Sequence, residues 1–97
     1  MAWTRKPQEQ EGKYYFNGTL YLTAEIQEAL TFEEIRDIYN DVQAFVKEKD
    51  GIDYLQVYVN EKGEKLFFID QLSIDMIESG EYPSDFNYCT LMFAHEY

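Results

Sequence analysis

Ninety-seven residues, 45% of them apolar and 18% aromatic, suffice for one folded domain that buries about 60–65% of its unfolded surface. Nineteen acidic residues against eight basic ones give a formal net charge of −11, which repels nucleic acid and anionic membranes and steers the chain toward basic partners. No stretch reaches the roughly 18 apolar residues of a membrane span, no apolar run follows the N-terminal cations as a signal peptide requires, and one cysteine cannot staple the fold, so a cytoplasmic location is expected.

Residues 1–12, "MAWTRKPQEQEG", read as a flexible N-terminal arm in which Trp3 is the one large apolar residue. Residues 13–97 then form a single α+β domain. In "YYFNGTLYLT", Asn17-Gly18 between aromatic and β-branched runs predicts a hairpin, or one strand bulged at the glycine, because a type I′ turn needs φ > 0 at both central residues. "AEIQEAL" reads as a short irregular or helical link. Thr31 opens "TFEE", a capping box with Glu34, and behind it Ile35, Ile38, Tyr39, Val42, Phe45 and Val46 recur at helical spacing. This predicts a long helix over 32–49, closed at Asp50-Gly51 with Gly51 in the left-handed position.

"IDYLQVYV" alternates, with Leu55, Val57 and Val59 on one face of a strand and Tyr54, Gln56 and Tyr58 on the other. "NEKG" is a hairpin loop with Gly63 at its exit, and "EKLFFID" returns as the partner strand. A short second helix is expected near 73–79, ending at Gly80. The last run, 86–94, reads as a strand built into the sheet, since a frayed apolar end invites aggregation. On it Cys89, Leu91 and Phe93 are expected to face the core. The fold expected is thus an antiparallel sheet of four to five strands packed against one long helix.

The residues specify no catalytic chemistry, no metal and no cofactor. His95, the only histidine, lies about 20 Å along a strand from Cys89, too far for a nucleophile pair. No second histidine or Cys-x-x-Cys pair offers a zinc site. Asp50, Asp53, Asp70 and Asp75 flank the central strands, but no Glu-x-Lys follows them as in a divalent-metal nuclease. Glycine-rich phosphate loops and nucleophile elbows are missing as well. The chain therefore reads as a non-enzyme.

The long helix says more. Glu33, Asp37 and Asp41 stand four apart, with Glu48 continuing the row, opposite the apolar stripe. Like charges at that spacing destabilise a helix by about 0.2–0.5 kcal/mol per pair and set negative charges about 6 Å apart, a spacing like that of a phosphate ladder. Such a row could enter a groove built to clamp nucleic acid; a solvated acidic face is the alternative. Tyr54 and Tyr58 are candidate contact anchors if the helix covers the other face of their strand, and are covered if a second layer packs on them.

The ending "CTLMFAHEY" resembles the "LTIMLAxEY" ending of a family of small uncharacterised proteins carried on bacterial plasmids and phages. The likeness runs through "FFIDQLSIDMIESGEYPSD" and, more weakly, "LYLTAEIQEAL". It departs where the family's Thr-Arg-Gly is Thr23-Ala24-Glu25 and where an acidic histidine-containing loop is absent. "DYLQVYV" is also similar to a segment of a second uncharacterised family from staphylococcal mobile cassettes. The resemblance implies a mobile-element accessory protein, and such small acidic proteins are often anti-restriction or anti-CRISPR inhibitors that fill a basic channel. The expected partner is accordingly a basic protein, a nuclease or its RNA-guided complex, with no direct binding of nucleic acid or membrane, the chain itself being a monomer or homodimer. The alternative is a protein–protein interaction or dimerisation module that mimics no nucleic acid.

Overall fold

Five strands and three helices follow in the order β1 (Thr4–Arg5), β2 (Thr19–Leu22), α1 (Ala24–Ala29), α2 (Phe32–Lys49), β3 (Leu55–Val59), β4 (Lys65–Asp70), α3 (Ile74–Ser79) and β5 (Tyr88–Phe93). Single 3-10 turns at Ser84–Phe86 and Ala94–Glu96 flank β5. The computed structural model describes residues 2–97; Met1 lies outside them. The class is α+β, built on one five-stranded sheet in the order β1-β3-β4-β5-β2.

Local signals set several of these elements. Thr31 Oγ1 accepts from the Glu34 amide at 3.1 Å while Glu34 accepts from the Thr31 amide at 3.0 Å, so two otherwise unpaired donors of the first turn of α2 are satisfied. At its other end Asp50 takes the left-handed conformation, with φ 54°, and Gly51 follows it at φ 108°. The Asp50 carboxylate also accepts from the Tyr15 hydroxyl at 2.7 Å. Gly63, at φ 81°, closes the β3–β4 loop, and Ser73 and Gly80 bound α3.

The sheet is mixed, which corrects the antiparallel expectation. β2 runs parallel to β5, pairing Leu20 with Cys89 and Leu22 with Leu91. No hairpin forms at Asn17-Gly18. Phe16, at φ 51° and fully buried, turns the chain there: its amide donates to Asp70 Oδ2 and its carbonyl accepts from Gln43 Nε2. Gly18 is needed for close approach, since a Cβ on it would lie 2.1 Å from the Asn87 carbonyl oxygen.

The terminal strand β5 sits between β4 and β2, so the apolar ending is zipped into the sheet as expected. Cys89, Leu91 and Phe93 are all buried, facing Ile38, Val42, Phe45 and Val46 of α2 within one core cluster.

The N-terminal segment is also part of the body, which corrects the free-arm expectation. Trp3 is buried and donates its indole N–H to Glu34 Oε2 at 3.1 Å. Thr4 and Arg5 pair with Val59 and Tyr58 at the edge of the sheet. Farther along, Gln8 Oε1 accepts from the Asp53 amide at 2.9 Å, and Gln10 Nε2 donates to Asp53 Oδ1 at 3.1 Å.

Candidate interaction surfaces

The acidic row of α2 divides into two groups. Glu33 and Glu48 are exposed, and Asp37 is partly so, 3.5 Å from Arg36 Nη2. Asp41 is committed within the fold: Arg5 Nε donates to its Oδ2 at 2.9 Å and the Tyr58 hydroxyl donates to the same oxygen at 2.7 Å. Arg5 also lies 3.8 Å from the centroid of the Phe45 ring, which places its guanidinium between the helix and the sheet edge. A four-residue repeat therefore does not make a four-member surface. Asp41 belongs to the packing of sheet on helix.

The two tyrosines separate in the same way. Tyr58 is 0% exposed, which rules it out as a surface anchor. Burial, and then its bond to Asp41, push its hydroxyl well above the ordinary tyrosine value, so it stays a neutral donor. Tyr54 is partly buried, with its ring 6.0 Å from that of Tyr14.

Inward-facing positions of β3 are thus Gln56 and Tyr58, not the three aliphatic residues. Gln56 Nε2 donates to Gln8 Oε1 at 3.1 Å and to the Asp53 carbonyl at 3.0 Å, so its burial is partly compensated; its Oε1 has no partner. In consequence Leu55, Val57 and Val59 turn to the other face of the sheet, where all three are half-buried. Register extends that face: Leu55, Ile69, Thr90 and Tyr21 form one row, and Val57, Phe67 and Met92 the next. Tyr88 joins through its edge-to-face contact with Tyr21, and Tyr97 through its contact with Phe67, ring centroids 5.3 and 5.7 Å apart.

A solvated sheet face ordinarily alternates to polar residues. This one is mostly apolar. A groove of about 230 Å³ opens at its margin between the N-terminal segment and β3, bordered by Lys6, Glu9, Asp53, Leu55 and Phe67. The face was missed in the sequence because alternation in β3 names two faces without saying which is inward. One signal was present: in "LFFI" both parities are apolar, as expected of a strand apolar on both sides.

Buried polar chemistry gathers at the far end of the sheet. Asp70 accepts from the amides of Phe16 and Gln71, yet burial raises its carboxyl to about 6. Cys89, its cross-strand neighbour, is pushed up to about 12 by burial and then by Asp70, so it is not a ready nucleophile. His95 is exposed beyond the end of β5, stacked on Phe93 and hydrogen-bonded to Glu25. Among the described residues no group of three or more His, Cys, Asp or Glu side chains is placed to hold a metal ion. Among the described residues no helix is long and apolar enough to cross a membrane.

The arrangement defines an α+β protein whose sheet packs one face on α2 and carries a second, mostly apolar face. No protein-family model matches the chain, and no curated protein or solved structure shows a significant match to it.

Proposed function

We propose that this protein acts without catalysis, as an acidic binder that occupies the basic nucleic-acid-binding surface of a defence nuclease, of the anti-restriction or anti-CRISPR kind. The observation that carries this reading is uncompensated charge. Among the described residues only Asp41, Asp37 and Glu25 of the nineteen carboxylates are ion-paired. Arg5, one of only eight Lys and Arg residues, is spent on an internal bond. Glu33 and Glu48 stand exposed on the outer side of a rigid 18-residue helix, and Asp37, half-buried beside the exposed Arg36, lies on the same side. Mobile-element setting, implied by the resemblance of "CTLMFAHEY", agrees with a target in host defence.

The test is inhibition of a panel of guide-loaded and restriction nucleases at increasing salt. Wild-type protein inhibits at least one of them, and added salt weakens the effect. The combined variant Glu33→Lys, Asp37→Lys and Glu48→Lys loses inhibition while Asp41, which serves the fold, is left in place. Inhibition unchanged by the triple reversal overturns the reading.

A second reading, an interaction module without nucleic-acid mimicry, is favoured by the second, mostly apolar face of the sheet. Binding through that face strengthens or stays level as salt rises, the opposite of the first.

A further inference from the structure

We propose that the open face of the sheet is a homodimer interface, against which a second copy of this chain packs face to face. In a chain of net charge −11, the strand positions on this face carry no carboxylate. Its only charged strand residue is Lys65, with Lys6 beside it, following β1. Every carboxylate on the five strands is accounted for by Asp70, which points inward and is buried. Contact between two such faces therefore brings together no strand carboxylates, and the like charges that meet are Lys65 and Lys6 of each copy.

The area is sufficient. The five strands, of two to six residues each and about 4.8 Å apart with a rise of ~3.3 Å per residue, give a footprint of about 360 Å². With side-chain relief, roughly 600 Å² of accessible surface per copy is covered, about 1,200 Å² in all, the lower bound of specific interfaces. The Tyr97 ring, 78% exposed, packs edge-on to Phe67, and Lys6 to Glu9 flank the β3 margin beside Leu55 and Val57. Association is therefore expected to be reversible and concentration-dependent.

Edge-to-edge pairing is the weaker route. β1 is two residues long and is followed by Lys6-Pro7, and the outward carbonyl of Leu22 on β2 is occupied by Gln27 Nε2 at 3.2 Å. Stacked sheets are left, within about 30° of alignment. Because β4 is the central strand, a two-fold axis along the strands would set Lys65 against its own copy. An axis across the strands instead lays Lys65 over the Leu55–Ile69 end of the second copy.

Sedimentation equilibrium of the full chain across a wide concentration range tests this. Expected is a monomer–dimer equilibrium that tightens as salt screens the mutual charge of the two copies. Val57→Lys and Met92→Lys should each weaken it at least tenfold, with an unchanged far-ultraviolet circular dichroism spectrum. Thr90→Arg, at a position already polar, makes the same test should either variant fail to fold. Phe32→Ser, 78% exposed at the start of α2 and off this face, should leave the equilibrium unchanged. A monomer at every concentration and salt, or a dimer indifferent to all three open-face variants, overturns the proposal. Neither outcome touches the acidic-binder reading, which is scored by nuclease inhibition and has the opposite salt dependence.

Discussion

The Tyr58 hydroxyl donates to Asp41 Oδ2 at 2.7 Å, joining the inner face of β3 to the middle of α2 across seventeen residues of sequence. Arg5 shares that oxygen, so one carboxylate joins the helix, an interior strand and the edge strand. Tyr58→Phe should cost about 0.5–1.5 kcal/mol, the net worth of one hydrogen bond, because Asp41 keeps Arg5. Asp41→Ala should cost more, about 1–3 kcal/mol, since it leaves a buried hydroxyl without an acceptor. Urea denaturation checks both. An Asp41→Ala effect within about 0.5 kcal/mol, as for ordinary surface sites, would return Asp41 to the solvent-facing row.

Trp3 makes the N-terminal segment structural. Its ring is buried and its indole N–H bonds to Glu34, whose other oxygen serves the helix cap and whose carboxyl is lowered by the Thr31 amide first and Trp3 second. Trp3→Ala should destabilise by about 3–5 kcal/mol, as for a large aromatic in a core. Denaturation with tryptophan fluorescence cannot follow that variant, so circular dichroism is the readout. A loss below about 0.5 kcal/mol would mean that the ring is not packed as described.

Asp70 predicts a pH dependence. Its carboxyl stands at about 6 in the folded protein against an ordinary 3.8, because burial disfavours the charged form. The folded state therefore holds this proton more tightly than the unfolded one. Its contribution to stability is fully present below about pH 4 and is lost as pH rises through about 6, a change of roughly 2–3 kcal/mol. Asp70→Asn should lack this component, and the difference between the two stability–pH curves removes the shared effect of net charge. Parallel curves would show that Asp70 titrates alike folded and unfolded.

Phe93 and the residues after it are held more firmly than an ordinary chain end. Phe93 is buried, and Phe93→Ala should cost about 3–5 kcal/mol. Beyond it, Glu96 accepts from the Phe93 amide and the Thr23 hydroxyl, both at 2.9 Å, and Tyr97 packs edge-on to Phe67. Removing His95–Tyr97 should accordingly cost about 1–3 kcal/mol, the sum of two modest hydrogen bonds and an aromatic contact. Differential scanning calorimetry of the truncated chain decides; an unchanged melting temperature would mean that the final turn is only loosely held.

Much of the local architecture was legible in the sequence because its causes are local. A capping box at Thr31 and Glu34, an apolar stripe from Ile35 to Val46, a loop closed by Gly63, and caps at Ser73 and Gly80 act within a few residues of one another. They placed α2, α3 and the β3–β4 hairpin. Parity along β5 likewise put Cys89, Leu91 and Phe93 together on the buried side.

Tertiary structure decided what depends on partners distant in sequence. Asn17-Gly18 carries a hairpin signal, yet Phe16 bonds to Asp70 and Gly18 lies against Asn87, so the chain passes to β5 and pairs with it in parallel. Alternation in β3 allowed either face to be buried. Gln56 and Tyr58 turned inward because Gln8 and Asp41 offer them hydrogen bonds that no local pattern announces, and Leu55, Val57 and Val59 were left outward. An amphipathic pattern states which residues share a face. Which face meets the helix is settled by the polar partners available there, because an unpaired buried amide or hydroxyl costs as much as an exposed aliphatic side chain forgoes.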